Sequence, residues 1–214
     1  QGRAAGRDTV FLTGASATER MRIASSGLVT FAGAIAVSDN IQHNGDADNQ
    51  IEFTTDVQKY YTAGVARMVI NAAGNVLIGH TAAIDVGQTG SFQVNGTDND
   101  SGSMSVVNWG NNSAHFAQIH LAHSKSNAKG TNTTLADNDA IGGIFFRGAD
   151  GSDFETISAS IVSNVDGSVA TSRVPADLIF STAAGASDDD VAERMKIASD
   201  GKIYMSNSKL SIGD

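Results

Sequence analysis

Glu19-Arg20-Met21-Arg22-Ile23-Ala24-Ser25-Ser26-Gly27 returns as Ala66-Arg67-Met68-Val69-Ile70-Asn71-Ala72-Ala73-Gly74, and again as Glu193-Arg194-Met195-Lys196-Ile197-Ala198-Ser199-Asp200-Gly201. In each copy Met and Ile stand two apart, with Arg, Val or Lys between them, and a period of two reads as a half-buried strand. The closing glycine falls where a tight turn needs positive φ or close backbone approach, which predicts that conformation at Gly27, Gly74 and Gly201. Apolar runs follow, Leu28-Val29-Thr30-Phe31 after the first turn and Asn75-Val76-Leu77-Ile78 after the second. Phe-centred runs precede: Val10-Phe11-Leu12-Thr13, Ile51-Glu52-Phe53-Thr54 and Leu178-Ile179-Phe180-Ser181-Thr182. Each module therefore reads as strand, loop, strand, turn, strand. A repeated supersecondary unit points to a structural array rather than to a catalytic pocket.

The composition agrees with an all-β chain. Its 214 residues hold 16 Val and 16 Ile but only 7 Leu, and β-branched side chains suit pleated strands. The 23 Gly punctuate turns, and the single proline, Pro175, leaves many strands open. With 30 Ala, 6% aromatic and 17% charged residues, the material for a core is thin. Thin-cored repetitive β chains complete their core with identical partners, which predicts an obligate homo-oligomer. A net charge of −9 without any Lys/Arg cluster argues against nucleic acid. The absence of cysteine excludes a disulfide framework and thiolate metal sites. No apolar run reaches the ~18 residues of a membrane span, so no membrane insertion is expected.

Residues 1–45 and 46–90 read as successive shaft modules, 91–176 as an inserted compact, β-sandwich-like domain, and 177–214 as a third module. Within 91–176, strands are expected at Ser103–Trp109, Phe116–Ala122, Ile141–Arg147 and Thr156–Ser163, with another at Asp177–Thr182 just beyond it. Asp150-Gly151 and Asp166-Gly167 are hairpin signals. Ser124 to Asp139, polar and rich in Asn and Thr, reads as a long exposed loop. Lys209-Leu210-Ser211-Ile212-Gly213 echoes Val76-Leu77-Ile78-Gly79 and predicts that the array continues past Asp214.

These phrases resemble bacteriophage tail-fibre and related virion-fibre proteins, especially those of marine phages, in which E-R-M-R-I-x-S-x-G-x-V recurs along a shaft. The likeness is densest from about Gln118 to Ile203. It is carried by Ile141-Gly142-Gly143-Ile144-Phe145-Phe146-Arg147-Gly148-Ala149-Asp150-Gly151, then Val165-Asp166-Gly167, then Pro175-Ala176-Asp177-Leu178-Ile179-Phe180-Ser181-Thr182, closing with Glu193-Arg194-Met195. The resemblance implies an elongated homotrimeric fibre on the surface of a virion assembled in the host cytoplasm. Its implied partners are other virion fibre or baseplate proteins and a bacterial surface glycan, and it offers no catalytic residue or cofactor to carry over. Such fibres often end in a self-cleaving chaperone, and these residues contain none that is recognisable. In a trimer, Met21, Ile23, Met68, Ile70, Met195 and Ile197 are expected to face a three-chain core. A fibre of a bacterial surface or of a contractile injection apparatus would obey the same physics.

The alternative from another class is a tailspike-like polysaccharide-cleaving enzyme. Glycoside hydrolysis needs two facing carboxyls, and carboxylates here fall mostly in turns. Sugar-stacking aromatics beyond the Phe set and Tyr204 are Trp109, Tyr60 and Tyr61. The reading is therefore non-enzymatic. His115, His120 and His123 lie close in sequence, but fibres that bind a metal on their axis use an i, i+2 pair, which this chain lacks; ordinary surface or interface histidines are expected. Asp98-Asn99-Asp100, Asp137-Asn138-Asp139, Asp150-Gly151-Ser152-Asp153 and Asp188-Asp189-Asp190 are oxygen-rich in the way calcium favours, yet none closes with the Glu of a twelve-residue loop. They read as solvated turns. Arg20, Arg67 and Arg194 read as structural, donating to carboxylates or carbonyls.

Overall fold

A computed structural model describes residues 6–185 and 191–206. Its regular structure consists of strands: β1 (Thr9–Thr13), β2 (Thr18–Ile23), β3 (Val29–Phe31), β4 (Asn40–His43), β5 (Asp46–Thr54), β6 (Val57–Thr62), β7 (Val65–Ile70), β8 (Val76–Ile78), β9 (Phe92–Val94), β10 (Ala140–Arg147), β11 (Ile157–Val165), β12 (Ala176–Ala183), β13 (Val191–Ile197) and β14 (Ile203–Met205). The chain divides into two compact units, Gln1–Thr81 and Ala82–Asp214. In the first, β1–β2–β3 form one antiparallel meander and β4 to β8 another. In the second, β10 to β14 form a single antiparallel sheet.

All three copies of the repeated phrase are the central strand of the same three-strand unit, in the same register. Met21 stands between Phe11 and Phe31, Met68 between Tyr60 and Ile78, Met195 between Phe180 and Met205. The outgoing turn is also the same. Gly27, Gly74 and Gly201 donate to Ala24, Asn71 and Ala198, whose own N–H groups bond Leu28, Asn75 and Lys202. This is a three-residue hairpin loop closed by a left-handed residue. The glycines have φ of 89°, 83° and 83°, and a Cβ on any of them would meet open space. Backbone conformation alone selects glycine there.

Two expectations change. The strand paired with the second copy is β6, carrying Tyr60, and the Phe53 run is β5, one strand further out. Ser103–Trp109 and Phe116–Ala122 are not strands: they carry no regular structure and no ladder. Ile141–Arg147, Thr156–Ser163 and Asp177–Thr182 correspond to β10, β11 and β12. Asp150-Gly151 and Asp166-Gly167 lie in the connections between these antiparallel neighbours. One antiparallel sheet, β10 to β14, runs through residue 176, with Val165 opposite Ala176. The echo at Lys209–Gly213 lies outside the described residues.

Very little of the chain is buried. The fully buried apolar side chains among the described residues are Val69, Leu77 and Val165. The accessible surface is 15955 Å², against about 9,300 Å² for a folded monomer of this mass.

Candidate functional site

The repeated unit explains its own arginine. In every copy the ladder slips by one residue at the same place, after Phe11, Tyr60 and Phe180. The residue left without a partner is Arg20, Arg67 or Arg194, the extra residue of a β-bulge. Each guanidinium Nε donates to the hydroxyl of a threonine two positions beyond that aromatic residue: Thr13 at 2.9 Å, Thr62 at 3.0 Å and Thr182 at 2.9 Å. The bulge carbonyl is used too, accepting from Ala32 at Arg20 and from Gly79 at Arg67. The acidic neighbours expected to serve these arginines do something else. Glu19 pairs with Arg22, whose side chain also reaches Asp8, and Glu193 accepts from the Ser206 hydroxyl at 3.4 Å. Arg22 holds the Glu19 carboxyl below its ordinary range.

The turns are secured by side-chain oxygens. Asp8 accepts the Ser25 N–H at 2.9 Å, and Asp166 accepts the equivalent Ser199 N–H at 2.8 Å. In the middle copy Asn71 serves its own turn, accepting from Ala73 and Asn75. Donation from Ser199 lowers the pKa of Asp166.

Cross-strand rows carry apolar side chains along one face of each sheet. They read Phe11–Met21–Phe31, then Ile41–Ile51–Tyr60–Met68–Ile78, then Ile144–Ile161–Phe180–Met195–Met205. Every member is half-buried or exposed, from Ile161 and Met68 at the centres to Phe11, Ile41 and Ile144 at the edges. In the second meander the buried pair Val69–Leu77 occupies the opposite face, in one row with Lys59 and Glu52, which are joined at 2.6 Å. The face of Met68 and Ile70, on which the sequence reading placed the core, is thus half-buried in the single chain, less covered than the face of Val69 and Leu77.

Residues 124–139 form a folded loop. The Ser124 hydroxyl donates to Thr131 O and accepts from Thr133 N, both at 2.8 Å. Asp139 accepts from Ala136 N and from Lys125, and these donors, the amide first, lower its pKa. Asn138, at φ 67°, donates to Val165 O, Val165 donates back to Asp139 O, and Gly167 N donates to the Asp137 carboxylate. The loop is thereby tied to the end of β11. Beside it is an open cleft of about 730 Å³, lined by His123, Asn132, Thr133, Leu135, Thr171 and Val174 among others, and a smaller one of about 420 Å³ lies elsewhere, against Arg147, Asp150 and Glu155.

The other sequence candidates are dispersed. His123 Nδ1 lies 2.6 Å from Ala140 O, and His115 stands beside Gly110. Among the described residues no three His, Asp or Glu side chains converge as metal ligands. Asp98 accepts from Ser101 N and Oγ, and Asp150 from Ser152 and Asp153 N–H groups; these donors depress both pKa values. Asp188–Asp190 lie outside the described residues. Tyr60 and Tyr61 are half-buried in β6, whereas Trp109 is 95% exposed.

No protein-family model matches the chain, and no curated protein matches it in sequence. Among solved structures it is similar to the carboxy-terminal domain of the bacteriophage T5 L-shaped tail fibre, at 11% identity and a TM-score of 0.37, covering 97% of this chain and 81% of that one. It is also similar to the same domain carrying its intramolecular chaperone, at 12% identity and a TM-score of 0.38, covering 97% of this chain and 56% of that one. At this level neither likeness defines the fold or the role.

Proposed function

We propose that this chain is a non-enzymatic structural segment of a bacteriophage fibre. In this reading it is a homotrimeric β spacer whose middle residues contribute to attachment at the bacterial surface. The observation that carries the reading is the hairpin unit built three times to one register, each copy with an apolar row that a single chain leaves half-buried or exposed. Burying such side chains is worth ~1.5–3 kcal/mol each, and threefold assembly multiplies the gain. The family resemblance of the repeated phrase supplies the particle. Its partners are two further copies of itself and neighbouring fibre or baseplate proteins, and it resides on the virion.

The cleft beside residues 124–139 is the proposed contact with surface glycan. Its amide and hydroxyl groups suit sugar hydroxyls, and a rigid sheet presents them. Single sites without a stacking aromatic bind weakly, and three per particle axis act by avidity. Antibody against residues 6–185 should decorate a fibre on purified virions; particles free of label contradict the assignment. Deleting Lys125 to Leu135 should leave the assembly intact and reduce adsorption to host cells. Unchanged adsorption reduces the segment to a spacer.

A further inference from the structure

The cleft beside residues 124–139 gathers polar groups that the chain itself does not use. Inside the loop the polar side chains are engaged: Ser124 Oγ bonds Thr131 O and Thr133 N, Ser126 Oγ donates to Ala128 O, and Lys125 pairs with Asp139. Those lining the cleft differ. The Asn132 amide and the hydroxyls of Thr133, Thr134, Thr171 and Ser172 make no hydrogen bond to another described residue. Ser172 is also held there under strain. Ala170 N–H donates to Arg173 O at 3.0 Å and Arg173 N–H to Ala170 O at 2.9 Å, closing a two-residue turn in which Ser172 has φ 59°. Glycine is the unstrained residue at that φ, so the serine keeps a hydroxyl on the cleft wall against a backbone cost.

His123 adds an acceptor. Its Nδ1 lies 2.6 Å from Ala140 O, and a carbonyl only accepts, so Nδ1 carries the proton and Nε2 of the neutral ring is left to accept. Leu135, Val169 and Val174 give the same cleft an apolar share, Val174 being 53% exposed. Among the described residues no Lys, Arg, Asp or Glu lines it. Lys125 and Asp139, in the adjoining loop, pair with one another at 3.0 Å.

We propose that this cleft takes a neutral N-acetylated hexose unit and discriminates against unacetylated and anionic sugars. The inference rests on the attachment reading given above and names the sugar chemistry that attachment uses. An acetamido group presents one carbonyl acceptor, one N–H donor and one methyl. The Asn132 amide supplies a donor and an acceptor for the first two, and Leu135, Val169 and Val174 are the apolar surface for the third. Ring hydroxyls fall to the Thr and Ser hydroxyls, which both donate and accept. A carboxylate or phosphate would meet no cation on this lining, and an anion desolvated without a partner is strongly disfavoured. The volume of about 730 Å³ lies within the ~300–1,000 Å³ of ligand sites.

Saturation-transfer NMR on the full chain tests it, with N-acetylglucosamine, N-acetylgalactosamine, glucose and glucuronate as separate ligands. The two acetamido sugars should bind at least about 5-fold more tightly than glucose, with the strongest transfer at the acetamido methyl, and glucuronate should bind more weakly still. Asn132→Ala and Val174→Asp, at exposed positions outside every strand, should each weaken the acetamido sugars at least about 3-fold. Glucose bound as tightly as the acetamido sugars, or glucuronate bound more tightly, overturns the proposal and leaves the attachment reading standing. Binding that neither substitution weakens puts the sugar elsewhere and overturns the site. No transfer to any of the four overturns the sugar chemistry, while adsorption by the 125–135 deletion still decides the attachment reading on its own.

Discussion

The three repeated hairpins and the region between residues 97 and 139 answer the same demand in opposite ways. In the hairpins each main-chain irregularity has a partner inside the chain: the bulge arginine takes a threonine, the turn amide takes an Asp or Asn oxygen. In 104–109 and 116–122 the backbone is left open. Local units that close on themselves can be read from one chain, whereas a segment that joins no ladder offers its alternation and nothing more. The contrast teaches that alternation of side chains and pairing of backbone are separate matters here, and even the closed hairpins keep apolar side chains such as Phe11, Phe31 and Met205 exposed.

The strongest way to break that contrast is at a turn glycine. Gly74→Val should cost well over ~1 kcal/mol in denaturant unfolding, because a β-branched residue is forced to φ 83°. Gly130→Val, at φ 85° in the loop outside the ladders, should cost less. Equal losses at both positions would mean that the hairpins are no more decisive than the loop.

A smaller effect comes from the bulge. Thr62→Val keeps the shape and deletes the acceptor for Arg67, and should cost ~0.5–1 kcal/mol, as should Thr13→Val and Thr182→Val. Similar losses in the three copies are expected from their shared geometry. A much larger loss in one would show that its arginine serves a further contact.

The smallest effect is with pH. Asp166 and Asp150 have carboxyls held below their ordinary value of 3.8 by N–H donors. A group whose pKa is lower in the folded state stabilises it above the unfolded pKa, and that contribution is lost as pH falls through the folded value. Melting temperature should therefore decline on acidification below about pH 4, and Asp166→Asn should flatten part of the decline. Asp48, raised by its contact with Asp46, acts in the opposite direction, its contribution fading as pH rises. A melting temperature constant from pH 7 to 3 would remove these turns from the stability of the fold.

Much of this was legible in the residues. Alternation around Met21, Met68 and Met195 located the central strands, and Gly27, Gly74 and Gly201 located the turns. The partner of Met68 was misread because both Phe53 and Tyr60 sit in apolar runs. The signal that separates them is the threonine two residues on, Thr13, Thr62 and Thr182, which makes sense only once the arginine bulge is known. Alternation at 116–122 predicted a strand that the structure does not have, since period two says nothing of whether a neighbouring strand exists in the same chain. The cleft beside residues 124–139 was legible only as a polar loop, because its other wall, around Thr171 and Val174, is distant in sequence and brought near by the connection between β11 and β12.

The central claim is that one chain is an incomplete fold. Sedimentation equilibrium of folded protein at micromolar concentration tests it most directly. The account predicts a single species of three times 22.0 kDa that does not dissociate on dilution, and a stable, cooperatively melting monomer at the mass of one chain would contradict it.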